Sequence, residues 1–409
     1  MIGLNVSKLR AFARAVLVRT RQVMRIALFP LAVVAALPLL LVIALLAPFR
    51  KLRFAHIGKV NHIGWLAQCP EAYLREWERS GKPPRTTVVF LMSHPDNRPL
   101  FDVYRRHVPV IESALFNLYA DFIAPVMKPL GLFLYDHHHY FDHKRYATTG
   151  PALSLNSDEQ RRGLAGLEAM GVDPHGWFVC FHSRDSLHYD CDVHEYRNSS
   201  IVRCIPAMKK VAERGGFAIR VGATVAETLP ETGNPRIIDY ATKHRSPFMD
   251  IYLSTSNRFF FGTTAGLVCV PTLFNCPVAM ANAVTLSIAG TPFRPSDPYV
   301  CKLYKDRTGR LVPFPELYEM GMFARNFSSE TFVEALNRYG IQCVENTPEE
   351  LVDLCEDMFD ILEGRAPSAE GRRLQLLYRD RFLPPRPDKD FTPLLAPRFA
   401  LRHAALIEG

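Results

Sequence analysis

The run WFVCFHSRDS (Trp177–Ser186) begins as an uninterrupted apolar strand and stops abruptly at a histidine, an arginine and an aspartate. A short apolar run bounded by polar residues fits a strand buried on both faces, which is the environment of a parallel sheet. The residues that follow support this. SSIVRCIPAMKKVAERGG reads as a helix capped by Ser199 or Ser200 and stopped at Gly215-Gly216. Strands are expected at Phe217–Gly222, Arg236–Tyr240 and Arg258–Thr264, with a short helix over Phe248–Ser256. The turn Thr263–Gly266 opens another helix, and Pro277–Asn282 closes the series. Strands alternating with helices imply a parallel sheet covered on both sides.

The preceding third carries a second α/β pattern. An apolar strand over His56–Ala67 is expected to run into an Asn-His-x-Gly turn, followed by strands at Arg85–His94 and Val108–Ser113. Asn97 is placed to start a helix through Arg106, and a further helix is expected around Asn117–Leu130. Tyr135–Pro151, rich in His and aromatics, reads as irregular. The tail after Gly364 either packs back on the domains or stays mobile.

The chain has 409 residues and a net charge of +8. Ten basic residues precede the first acidic one, Glu71, so the globular remainder is slightly negative. A nucleic-acid partner, which needs a basic face on the folded part, is therefore not expected. None of the nine cysteines forms a C-x-x-C pair and several sit in apolar runs, which suits buried thiols in a reducing compartment.

Ile26–Phe49 is 24 residues without a charge, enough to cross a hydrocarbon core as a helix. A cleaved signal peptide is the alternative, but no small-x-small site precedes Phe49-Arg50-Lys51. Pro30 and Pro38 leave open a re-entrant hairpin with both flanks cytoplasmic, and basic residues at both ends give the positive-inside rule no vote. Ahead of the span, Leu9, Phe12, Val16 and Val23 share one helical face opposite Arg10, Arg14, Arg21 and Arg25. That pattern fits an interfacial helix on anionic lipid or a solvated basic arm.

In open parallel sheets, ligands bind beyond the carboxyl ends of the strands. Those ends deliver His182, Arg184 and Asp185; Arg220 and Gly222; Asp239; and Gly262, Thr263 and Thr264. Two arginines, two hydroxyls and the amides of a helix start would form a diphosphate clamp. Against it stand structural ion pairing of Arg184 with Asp185 or Asp250 and the commonness of a G-T-T-A-G turn. No P-loop is present. In the first domain, Gly64 would let a ligand approach the backbone, and His62 would act as a general base or hydrogen-bond donor, unless this is an ordinary turn. The run DHHHYFDH (Asp136–His143) suggests a metal, yet successive side chains of an extended segment alternate in direction, so no metal site is assigned.

KVNHIG (Lys59–Gly64), HEYRNSSI (His194–Ile201), RGGFAIRVG (Arg214–Gly222), IIDYATKHRSPFMDIYL (Ile237–Leu253) and RFFFGTTAGL (Arg258–Leu267) resemble a family of bacterial glycosyltransferases of surface-polysaccharide synthesis. The second domain is distantly similar to the O-fucosyltransferases. The resemblance spans most of Phe54 to about Glu363 and implies a GT-B fold of two Rossmann-like domains. It places an acceptor domain at residues 54–172 and a nucleotide-sugar domain at 173–364, after a basic segment (1–25) and a membrane helix or re-entrant segment (26–49), and before a tail (365–409). It implies no catalytic metal or cofactor, the nucleotide sugar being a substrate. Where fucosyltransferases carry H-x-R-R this chain reads H-S-R-D, so Arg184 fits the phosphate role and Asp185 replaces the second arginine.

The expected protein is a membrane-anchored transferase on the cytoplasmic face of a bacterial inner membrane. It would move a sugar from a nucleotide-sugar donor to a glycan or lipid-linked glycan acceptor. Arg184, His62 and Asp185 are its catalytic candidates. Gly64, His182, Arg220, Gly222, Asp239, Gly262, Thr263 and Thr264 are its nucleotide-sugar-binding candidates. A non-catalytic scaffold of the same shape is the rival, and a metal-dependent hydrolase using the histidine run is a third reading.

Overall fold

A computed structural model describes residues 6–57, 60–81, 85–134, 142–151, 153–188, 192–287, 290–324, 328–385 and 388–409, with side chains from 24 onward except 25. The first third reads α1 (Val6–Leu46), β1 (Lys51–His56), α2 (Ile63–Arg79), β2 (Thr86–Met92), α3 (Arg98–His107), β3 (Val110–Glu112), α4 (Ala114–Met127) and β4 (Phe133–Leu134). Then follow α5 (His143–Thr148), α6 (Ser157–Ala169), β5 (Phe178–Phe181), α7 (Ile205–Glu213), β6 (Phe217–Arg220), β7 (Ile237–Asp239), α8 (Tyr240–Lys243), α9 (Pro247–Ser256), β8 (Phe259–Thr263), α10 (Cys269–Leu273) and β9 (Val278–Ala283). The last quarter holds β10 (Tyr299–Cys301), β11 (Leu303–Lys305), α11 (Phe314–Glu319), α12 (Ser329–Tyr339), β12 (Gln342–Val344), α13 (Pro348–Leu362), α14 (Ala369–Phe382), α15 (Pro397–Arg402) and α16 (Ala404–Glu408).

The chain forms two compact units. The first comprises residues 1–60, 81–94 and 105–136; the second comprises 61–80, 95–104 and 137–409. Each is α/β around a parallel sheet, as the alternating pattern requires.

In the first unit the strand order is β3-β2-β1-β4, every pair parallel. Its core joins Phe54, Leu91 and Phe133 of the sheet to Ala120, Ile123 and Met127 of α4 and to Ala36 and Ile43 of α1. Helix α1 runs unbroken through Pro30 and Pro38, so the prolines make no re-entrant turn. The first expected strand is displaced. It ends at His56, and the segment from Ile63 is helical, because the apolar residues Ile63, Leu66 and Ala67 follow helical spacing rather than alternation.

In the second unit the main sheet has the order β10-β9-β8-β5-β6-β7, again parallel. The four residues of β5 are all buried, as are those of β6, β8 and β9. Local signals fix the flanking helices. Ser200 caps the turn before α7, Ser246 and Pro247 start α9, and a reciprocal Asn156–Glu159 capping box starts α6. Part of the segment expected to be irregular is helical: Asp142 caps α5 by accepting from the Arg145 amide. The tail packs back, with Leu395 bridging Tyr299 and Phe399 fully buried. The described cysteines are free thiols, most of them buried.

Asp297, just ahead of β10, is buried with Oδ2 lacking a partner among the described residues and Arg294 at 3.8 Å. Burial pushes its carboxyl from 3.8 up to about 7. The native state then holds a proton that the unfolded chain releases, so stability should fall as pH rises from about 4 towards 7 and level off above. Asp297→Asn should flatten that slope in urea melts across this range, and an unchanged slope would contradict the assignment.

Candidate functional site

Strand order in the second sheet reverses between β5 and β8. From β5 the chain winds outward through β6 and β7, then returns to lay β8 on the other side of β5. Ligands of open α/β sheets bind at this point, beyond the carboxyl ends of the two diverging strands. A cavity of about 300 Å³ lies there. It is walled by Arg184 beyond β5, Thr264–Gly266 beyond β8, Arg197 from the intervening loop, and Asn61, His62, Gly64, Trp65 and Gln68 at the start of α2.

Arg184 is buried and fixed at both ends. Its amide donates to Thr263 Oγ1 at 3.1 Å, while Nη1 donates to the His194 carbonyl at 3.2 Å and to Asn198 Oδ1. Arg197 donates from Nε and Nη2 to the Thr264 carbonyl, at 3.2 and 2.9 Å. Behind them, Lys302 Nζ donates to the Asn198 carbonyl at 2.6 Å, with burial drawing its pKa down. Burial and the two arginines likewise hold His194 below its ordinary value, which favours the neutral imidazole. The arginines thus bring positive charge to a wall whose described acidic lining residue is Asp96. Gln68 adds a buried amide nitrogen with no partner among the described residues.

Helix α2 reaches this site because Arg75 secures it. The buried guanidinium pairs with Glu71 and donates to the carbonyls of Thr149 (2.9 Å) and Thr272 (3.1 Å) and to Asn275 Oδ1 (2.7 Å). At the mouth of the helix, Gly64 meets Gly266 backbone to backbone. A Cβ on Gly64 would lie 2.8 Å from Gly266 Cα. The glycine predicted to admit a ligand admits a second turn of the protein instead, and both turns line the cavity.

The other sequence candidates divide. His62 lines the cavity as the residue preceding α2, in extended conformation, its side chain making no cap. Thr264 lines it too, and Thr263 stands behind Arg184. Arg220 does not reach it: its guanidinium is buried, paired with Asp239 at 3.0 Å and donating to the Glu227 carbonyl at 2.7 Å. Asp239 accepts in addition from the Leu229 amide at 3.1 Å. Asp185 ties down loops, accepting from the amides of Leu187 (3.2 Å) and Ala226 (2.5 Å). His182 is buried against Phe260, and Gly222 and Gly262 abut Val225 and Phe260, away from the lining.

Sequence reasoning missed Arg197, Asn198, Gln68 and Lys302. The signal for the first two was present, since HEYRN sets a cation and an amide just before a helix start. His137, His138 and His139 lie outside the described residues. Among the described residues, no group of three or more His, Cys, Asp and Glu is arranged to hold a metal ion.

No protein-family model matches the chain, and no curated protein does. Among solved structures, the chain is similar to a family 9 glycosyl transferase from Veillonella parvula at 8% identity, over 77% of this chain and 98% of that one, with a TM-score of 0.45. It is similar to the E. coli ADP-heptose LPS heptosyltransferase II at 11% identity, over 70% and 98%, with a TM-score of 0.41. Against the E. coli heptosyltransferase WaaC, solved with ADP, the figures are 10%, 71%, 99% and 0.34. None of these three structures is of an O-fucosyltransferase.

Removing one partner of a buried ion pair strands the other charge. Asp239→Ala should therefore lower unfolding free energy by about 3 kcal/mol in denaturant melts. A loss under about 0.5 kcal/mol would show that the pair carries no structural weight.

Proposed function

We propose that the chain is a glycosyltransferase of GT-B type that binds a nucleotide sugar at the switch point of its second sheet and passes the sugar to a polysaccharide or glycolipid acceptor. The observation that carries this reading is the arrangement of Arg184 and Arg197 with the Thr264–Gly266 turn around one cavity of about 300 Å³. Bidentate guanidinium groups match diphosphate oxygens, and a fixed cationic wall offsets charge that grows on the leaving nucleotide as the glycosidic carbon–oxygen bond breaks. Such preorganisation suits a site that works without a metal. Arg184 is already oriented by Thr263, His194 and Asn198.

His62 is the base candidate with a place on the cavity wall, and it would take the proton of the acceptor hydroxyl. Asp185, whose carboxylate is engaged by two amides, serves the loop rather than the reaction. The uncharged helix Ile26–Leu46, with a mean hydropathy of 2.8, attaches the enzyme to a membrane, where a lipid-linked acceptor would be found. We place the catalytic units on the cytoplasmic side, in keeping with the free thiols.

The test is a thermal-shift titration with ADP, GDP, UDP and CMP, since a ligand of the native state raises the melting midpoint by mass action. At least one nucleoside diphosphate should raise it. Arg197→Ala should weaken that nucleotide about ten- to a hundredfold, as loss of a charge-assisted contact does. Arg184→Lys, which keeps the charge but loses the fork, should weaken it too. A flat response to the whole panel would favour a non-catalytic scaffold.

A further inference from the structure

The uncharged part of α1 is not a free-standing span. Residues 26–46 would cover about 31 Å as a helix, so a transbilayer placement would put Ala36 at the membrane midplane. Ala36 is 0% exposed, packed into the core that holds Ala120 and Ile123 of α4 and Phe54, Leu91 and Phe133 of the parallel sheet. The Tyr119 hydroxyl donates to the Ala35 carbonyl at 2.9 Å, one residue away. A crossing helix would thus draw α4 and a sheet edge to the midplane. With them would come Asp121, whose side chain is 64% exposed and sits 3.1 Å from His56. Hydrocarbon tolerates neither an open sheet edge nor such a charge.

The outer side of α1 has the opposite character. Ala32, Ala36 and Ile43 face inward, whereas Leu31, Val34, Leu41 and Leu45, on the opposite face of the helix, are exposed. The neighbouring α4 adds Leu115 and Leu118, 81% and 69% exposed. At the carboxyl end of α1 stand Arg50, Lys51 and Arg53, all exposed, in a stretch with no acidic residue before Glu71. A leucine-rich surface edged by cations matches one leaflet of an anionic membrane.

We infer that the protein is monotopic: α1 lies along the membrane with its outer face in one leaflet, α4 contributes Leu115 and Leu118 to the same surface, and both chain termini stay on one side. This rests on the reading that α1 attaches the chain to a membrane, and it fixes the manner of attachment.

Two measurements on the full chain test it. In flotation with vesicles of phosphatidylethanolamine and phosphatidylglycerol, the wild type should bind, and Leu115→Glu/Leu118→Glu should partition about tenfold less, with an unchanged melting temperature because both side chains are exposed. In sealed membrane vesicles of known orientation, protease should remove tags on both termini from the same side. Tags on opposite sides would overturn the inference by showing a crossing helix. Wild-type binding untouched by the double substitution would overturn the part given to α4. Failure of the wild type to bind would remove the membrane reading together with it.

Discussion

Burial of the second sheet on both faces constrains everything around it. Strands β5, β6, β8 and β9 have no exposed residue, so the chain meets polar groups only where it leaves the sheet. A parallel arrangement gathers those exits along a single edge. The return of β8 to the side of β5 opposite β6 parts the exits and leaves a crevice. Arg184 and the Thr264–Gly266 turn flank it for topological reasons before any chemistry is considered. The helices, the capping serines and the packed-back tail serve to keep that sheet dry.

The same edge shows how similar strand ends acquire different fates. Arg184 lies three residues beyond β5 and Arg220 is the last residue of β6, both at the carboxyl ends of buried strands. In space Arg220 has a carboxylate on the adjoining strand, at the position its register pairs with it, and the two neutralise each other. Arg184 stands at the switch point, where its guanidinium donates to the His194 carbonyl and Asn198 Oδ1 and lines the cavity. Strand ends are legible from apolar runs, but which end finds a partner depends on lateral order, and a sequence does not print lateral order.

Legibility elsewhere followed the strength of the local signal. Buried strands, serine caps and the helix begun at Asn97 were readable because each is set by residues within a few positions, as the Asn97 bond to the Leu100 amide illustrates. The start of α2 departs from the sequence expectation because Ile63, Leu66 and Ala67 carry the helical spacing directly after a strand that ends at His56, and the partners of Arg75 that secure the helix lie some two hundred residues away. Arg197 was overlooked for a related reason: its value arises from Thr264, 67 residues away. In α1 the composition was plain, but whether one face was claimed by a domain could be told only from Ala32 and Ala36, small residues that allow close packing.

The contact of Gly64 with Gly266 has an evolutionary reach. Two loops from segments about two hundred residues apart touch through bare backbone: a Cβ on Gly64 would part the wall they share, and one on Gly266 would press on the Gly64 amide at 3.0 Å. Change in the shape of the crevice is therefore left to residues such as Trp65, Met280 and Phe293, which line it with side chains that can be traded for others. The frame is held constant by having nothing left to remove.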